Sequence, residues 1–98
     1  MDLEWDETKD RANQAMHGLS FAQASELFTS GVDFLEIYDD TYERGEERFI
    51  AIGPIETGVI VVVYTEVMED RVRIISARAA ERDEIRAFQQ AMAGYSDD

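Results

Sequence analysis

The segment from residue 47 to residue 78 constrains the fold most, because it holds most of the β-branched residues of the chain. Such residues favour strands, and turn-forming pairs divide the segment into three pieces. We therefore predict three consecutive antiparallel strands. They are expected at about Glu47–Gly53, Val59–Val67 and Arg71–Ala77, with turns at Gly53-Pro54, Thr57-Gly58 and Glu69-Asp70.

The middle strand differs from its neighbours because its residues do not alternate between apolar and polar. Every residue from Val59 to Tyr64 is apolar, which is typical of a strand that is covered on both faces. The two neighbouring strands alternate, so each should have one more solvated face. We expect the rest of the chain to pack against this three-stranded unit.

Two helices are predicted before this unit. Asp6 is a suitable N-cap for the first helix, which should end at His17-Gly18. Lys9, Asn13 and His17 follow one another at a spacing of four residues and therefore share one helix face. The second helix should begin at the capping box of Ser20–Gln23 and end before Gly31, with Phe21, Ala24 and Phe28 towards the core.

The remaining pieces complete a single α+β domain. Asp33–Tyr38 is predicted to be a strand, Asp39–Glu46 a polar loop, and about Ala79–Tyr95 a final helix with Ile85, Phe88, Met92 and Tyr95 on one face. Together with a short strand at Leu3–Trp5, this order places two N-terminal helices and a C-terminal helix on a mainly antiparallel sheet.

Composition limits the class of protein. The 98 residues suffice for one domain, and the absence of cysteine excludes a disulfide framework or a thiolate metal site. The acidic N-terminus is unlike a signal peptide, and no apolar run approaches the roughly 20 residues that span a bilayer. We expect a soluble, cytoplasmic protein without a cofactor, since nucleotide-binding, metal-binding and serine-triad patterns are absent from the sequence.

The charge distribution is uneven. The formal net charge of -13 favours a basic partner or simple solubility, and it argues against non-specific binding of nucleic acid. Five arginines nevertheless occur between residues 71 and 86, with only three acidic residues among them. A local basic surface is therefore expected within an acidic protein.

Six short pieces of the sequence, in order, resemble the BrnT toxin family. They cover about residues 3 to 88 and are Trp5-Asp6-Glu7 with Lys9 and Asn13, His17-Gly18, Phe21, Gly45–Phe49, Val62–Thr65 and Arg73–Arg78. The resemblance implies a RelE-like fold and a metal-independent endoribonuclease toxin of a type II toxin-antitoxin system, which inhibits translation. It also implies a separately encoded antitoxin with a DNA-binding ribbon-helix-helix part. Many relatives have lysine at the positions of Met16 and Ala79, so this chain lacks two positive charges of the family pattern.

Given this resemblance, arginines are the main candidates for the site. RNA cleavage through the 2′-hydroxyl needs cations that stabilise charge on the phosphate, and the planar fork of arginine can hold two phosphate oxygens. Arg48, Arg73 and Arg78 are the candidates. Each could instead form ion pairs across the sheet, with Glu47, Glu66 or Asp70 available. In a regular strand Arg78 lies on the opposite face from Arg73, so a bulge or the strand end must bring them together.

Three further residues have both a functional and a structural interpretation. His17 could take part in acid-base catalysis, a common role of histidine, but a histidine in the last turn of a helix also interacts favourably with the helix dipole. Lys9 could contact phosphate or a nearby carboxylate. Tyr64 could stack on a base or bond to phosphate, although an aromatic residue at the end of a buried strand more often belongs to the core.

Two functional hypotheses therefore remain. The first is an RNA-cleaving toxin with Arg73, Arg78, His17 and Lys9 as catalytic residues and Arg48 and Tyr64 as substrate-binding residues. The second is a catalytically weak or inactive protein of the same fold that only binds a basic antitoxin or other basic partner. The retained arginines favour the first hypothesis, and the net charge of -13 favours the second.

Overall fold

Five strands and three helices form the structure, a computed structural model that describes residues 1–39 and 47–95. Of the loop predicted at Asp39–Glu46, Asp39 belongs to a strand, while residues 40–46 lie outside the described residues, as does the tail at 96–98. No helix in the described part of the chain is long and apolar enough to cross a membrane. The elements are β1 (Asp2–Glu4), α1 (Glu7–His17), α2 (Phe21–Thr29), β2 (Leu35–Asp39), β3 (Arg48–Ile55), β4 (Gly58–Met68), β5 (Arg71–Ala79) and α3 (Arg82–Tyr95).

The strands form one sheet in the order β1-β5-β4-β3-β2. The pairs β2/β3, β3/β4 and β4/β5 are antiparallel, whereas β1 runs parallel to β5. The architecture is the predicted α+β arrangement. The central strand β4 is covered on both faces as expected, since Val62 is fully buried and Val61, which points to the other face, is only 3% exposed.

The two faces of the sheet are covered by different helices. On one face α1 and α2 pack over the main core, where Phe21, Leu27, Val62 and Ile74 are almost completely buried. On the other face α3 packs against β2 and β3. The helices therefore leave the β5 part of this second face for other interactions.

Helix ends follow the predicted signals closely. The Asp6 side chain accepts hydrogen bonds from the backbone N–H groups of Thr8 (2.8 Å) and Lys9 (3.4 Å). Gly18 ends α1 in the left-handed conformation at φ 69°, where glycine carries no steric penalty. Ser20 and Gln23 form the complete capping box of α2. These local signals fix the positions of the helices that line the site.

The predicted turn at Gly53-Pro54 is wrong. Strand β3 continues to Ile55 and turns at Glu56-Thr57 into β4. Pro54 is tolerated because β2 pairs with β3 only as far as Ile52, so the missing N–H of Pro54 lies on an unpaired edge. The start of the last helix is also later than predicted, because β5 extends to Ala79 and the Ala80 N–H bonds to the Val59 carbonyl at 3.0 Å.

Candidate active site

A β-bulge in β5 brings the candidate arginines to one face of the sheet. Val63 of β4 lies opposite Ser76 and Tyr64 lies opposite Ile74, so Ile75 is an extra residue in β5. Arg73 and Arg78 lie opposite Thr65 and Val61, which share one face of β4 with Val63. Arg73, Ser76 and Arg78 are therefore on the same face. The bulge thus brings Arg78 to the face of Arg73, as the sequence required if the two arginines act together.

Arg48 lies on this face as well, two strands away from Arg73. Thr65 is the cross-strand partner of both arginines, and its hydroxyl donates to the Glu47 carbonyl at 2.6 Å. The register continues in both directions and forms a row across all five strands, namely Glu4, Arg73, Thr65, Arg48 and Asp39. Two cationic positions thus lie inside the row and two anionic positions lie at its ends.

Arg73 is held by a carboxylate of β1. Its Nε and Nη2 atoms both lie 2.8 Å from Oε2 of Glu4, and Arg71 approaches the same carboxylate at 3.8 Å. The sequence-based partners for such pairing were Glu47, Glu66 and Asp70, and none of them contacts Arg73 in the described residues. The parallel strand β1, which is distant in sequence, supplies the partner instead.

Arg78 forms a two-pronged ion pair with the first turn of α3. Nη1 donates to Oε1 of Glu84 at 2.8 Å, and Nη2 donates to Oε2 at 2.7 Å. The hydrogen bonds of this pair raise the pKa of Arg78 and lower the pKa of Glu84 from their usual values. The local basic surface expected from the sequence is therefore largely neutralised at Arg73 and Arg78.

Two buried polar residues of helix α1 hold the helix beside the site. Asn13 bonds to both backbone groups of Ala77, and the Asp10 carboxylate accepts the Phe21 N–H at 2.8 Å. These bonds fix α1 beside β5 and connect it to the start of α2. Of the polar face predicted from the sequence, Asn13 is thus a structural residue, while Lys9 and His17 remain exposed.

A cleft of about 240 Å³ lies between α1 and β5. Lys9, His17 and Ser76 are among its lining residues, together with Ala12, Asn13, Met16 and Ile75. Within residues 1–39 and 47–95, the side chains of Lys9, His17 and Ser76 make no hydrogen bond or ion pair. A second cleft of about 150 Å³ borders His17 together with Thr57 and Ala79. Three unpaired polar side chains therefore line the cleft beside α1.

Ser76 connects the two halves of the site. It lines the cleft with Lys9 and His17, and it lies between Arg73 and Arg78 on their common face. Sequence reasoning missed Ser76, Glu4 and Glu84. Only Glu84 had a visible signal, since an acidic residue in the first turn of a helix, six positions after an arginine, can fold back onto it.

Tyr64 does not belong to this surface. Its side chain is 3% exposed, lies on the face covered by α1 and α2, and donates its hydroxyl hydrogen to Glu36. Burial is the main cause of a strongly raised pKa of Tyr64, and the Glu36 carboxylate adds to it. This position favours the core interpretation of Tyr64, and its substrate-binding role stays an untested prediction.

The fold and the site define a small α+β protein that gathers cationic side chains on one sheet face and beside α1, an arrangement suited to phosphate groups. The chain belongs to the family of BrnT ribonuclease toxins of type II toxin-antitoxin systems, whose family model matches residues 5–84. Its substrate class is thus RNA and its partner an antitoxin. The family and the fold class predicted from the sequence are confirmed.

A solved structure supports this assignment. The chain is similar to the ribonuclease toxin BrnT of Brucella abortus, with a TM-score of 0.62 and 29% sequence identity over 84% of this chain and 99% of that chain. Comparison with curated proteins gives no match. No group of three or more His, Cys, Asp or Glu side chains among the described residues could hold a metal ion.

Proposed function

We propose that the protein is a metal-independent endoribonuclease of the cytoplasm, which inhibits translation until an antitoxin with a ribbon-helix-helix part neutralises it. The observation that carries the proposal is the position of Ser76, which joins the Arg73 and Arg78 face to the cleft of Lys9 and His17. Cationic side chains and a histidine therefore lie on two adjoining surfaces. This is the set of groups that cleavage through the 2′-hydroxyl requires.

In the proposed reaction the 2′-oxygen of RNA forms a bond to phosphorus while the bond from phosphorus to the 5′-oxygen breaks. A base takes the 2′-hydroxyl proton, and an acid returns a proton to the departing 5′-oxygen. The products are a 2′,3′-cyclic phosphate and a free 5′-hydroxyl. Arg73 and Arg78 stabilise the charge on the phosphate, His17 transfers a proton, and Lys9 and Arg48 assist in binding the RNA backbone.

The positions that depart from the family pattern affect the expected rate. Met16 borders the first cleft and Ala79 the second, so both lie close to His17. Lysine at these positions would add positive charge where RNA is expected to bind. We therefore propose a weak intrinsic activity on free RNA, with the ribosome as one means of presenting the substrate.

The decisive experiment compares the purified wild type with the double variant Arg73→Ala/Arg78→Ala on a defined RNA. The matched control is Arg82→Ala/Arg86→Ala, which removes the same charge from exposed positions of α3. Cleavage by the wild type and the control, but not by the site variant, is expected. The proposed site is contradicted if none of the three proteins cleaves the RNA, or if all three cleave it. A parallel reaction with a chelator tests metal independence.

The antitoxin is tested separately. Coexpression with a basic ribbon-helix-helix protein as the candidate antitoxin should yield a stable complex and abolish growth arrest. If the protein is only a binding module, the complex forms but expression without the partner leaves growth and bulk RNA intact. That outcome would favour the second of the two hypotheses drawn from the sequence.

A further inference from the structure

The guanidinium of Arg78 is fixed along one edge. Glu84 accepts one hydrogen bond from each terminal nitrogen, at 2.8 Å from Nη1 and 2.7 Å from Nη2. Nη1 also donates to the backbone carbonyl of Ala79 at 3.3 Å. Three of the five N–H donors of the arginine are therefore occupied.

The two remaining donors form a second fork. Nε–H and the outer N–H of Nη2 lie on the same side of the planar group, and neither has a partner in the described part of the chain. Two parallel donors in one plane match two oxygens of a phosphate. The Arg78 side chain is 38% exposed, so the side chain as a whole is open to solvent.

Glu84 is itself held in place. Its Oε1 atom accepts the backbone N–H of Glu81 at 2.8 Å, and its side chain is only 22% exposed. Because Glu84 is fixed to the start of α3, the ion pair removes rotational freedom that Arg78 would otherwise lose on binding a ligand. The raised pKa of Arg78 and the lowered pKa of Glu84, both caused first by their mutual hydrogen bond, agree with a stable pair.

We infer that Glu84 is a positioning residue for RNA cleavage, which holds one edge of the Arg78 guanidinium so that the fork of Nε–H and Nη2–H is presented to the scissile phosphate. The inference rests on the proposed function, because it assigns Arg78 to the phosphate. It differs from simple masking, in which the carboxylate would compete with RNA for the arginine. The unoccupied fork favours positioning.

The first test is Glu84→Gln, which keeps the size of the side chain but removes its charge and one of its two acceptors. The matched control is Glu81→Gln, which also removes a negative charge near Arg78 but leaves both hydrogen bonds between Arg78 and Glu84 in place. We expect kcat for RNA cleavage to fall about tenfold in Glu84→Gln, with KM little changed, and to stay near the wild-type value in the control. Equal or higher kcat in Glu84→Gln would overturn the inference and indicate masking.

A double-mutant cycle separates positioning from a purely structural role. If Glu84 acts through Arg78, Glu84→Gln should cause no further loss of cleavage in an Arg78→Ala background. A further loss of the same size there would overturn the inference, because it would show that Glu84 acts elsewhere. If Arg78→Ala cleaves like the wild type, the proposed role of Arg78 fails. If only Glu84→Gln is without effect, the inference alone fails.

Discussion

The side-chain amide of Asn13 forms a pair of hydrogen bonds with the backbone of Ala77. Asn13 Nδ2 donates to the Ala77 carbonyl at 2.8 Å, and the Ala77 N–H donates to Asn13 Oδ1 at 3.1 Å. In the described residues β1 accompanies β5 only from Arg71 to Arg73, so this amide takes the place of a strand further along the same edge. The pair holds Lys9 and His17 beside Ser76.

Removal of this amide should destabilise the protein. Asn13 also donates to the Leu19 carbonyl at 2.8 Å, so Asn13→Ala leaves several buried backbone groups without partners. We expect a loss of about 2–4 kcal/mol in the free energy of unfolding, measured by urea denaturation. Gln14→Ala, an exposed neighbour on the same helix, should change it little. Equal stability of the two variants would contradict the structural role of Asn13.

The two glycines Gly53 and Gly94 should respond to alanine in opposite ways. A Cβ atom at Gly53 would lie 2.7 Å from both Leu27 Cδ1 and Phe34 Cβ, whereas nothing lies within 4 Å of one at Gly94. Gly53→Ala should cost about 1–3 kcal/mol because the core must shift. Gly94→Ala should stabilise α3 by up to about 1 kcal/mol. Thermal unfolding of both variants checks the sign of each change.

The Arg78–Glu84 pair should give a pH-dependent contribution to stability. The pKa of Glu84 is lowered in the folded protein, so its contribution is present above the ordinary pKa of a glutamate and is lost as the pH falls through the folded value. Both side chains are partly exposed, which limits the contribution to about 1 kcal/mol or less. The Tm of Glu84→Gln should be below that of the wild type at neutral pH and should converge with it in acid.

Tyr64 should retain its proton well into the alkaline range. Burial, and then the Glu36 carboxylate, raise its pKa above the unfolded value, so its contribution to stability is present below about pH 10 and is lost as the pH rises further. Tyr64→Phe should therefore be less stable than the wild type at neutral pH, by about 1 kcal/mol, but should lose less stability in alkali. Tyr38→Phe, at an exposed tyrosine, provides the control.

Local signals in the sequence were sufficient for the first two helices. Asp6, Gly18 and the capping box of Ser20 and Gln23 act within a few residues, and each has the predicted role. Gly53 and Pro54 were misassigned because the same residue types serve different purposes. Gly53 is required by the close approach of Leu27 and Phe34, and Pro54 occupies an edge where no N–H is needed.

The site was harder to predict than the helices, because it depends on contacts between residues that are distant in the sequence. The extra residue Ile75 reverses the face of Arg78, and a regular alternation pattern does not reveal which residue of a strand bulges. The partner of Arg73 could not be predicted either, since Glu4 is 69 positions away in the sequence. Their catalytic roles, together with those of Lys9 and His17, stay predictions.

The parallel pairing of β1 with β5 also has a consequence for biosynthesis. In the described sheet β1 pairs only with β5, which comes much later in the sequence. The Asn13 side chain likewise bonds to Ala77 of β5. Neither the β1 pairing nor the Asn13 hydrogen bonds to Ala77 can therefore form until β5 has been synthesised. In a toxin built in this way, the edge of the sheet beside α1 is completed only after β5 has left the ribosome.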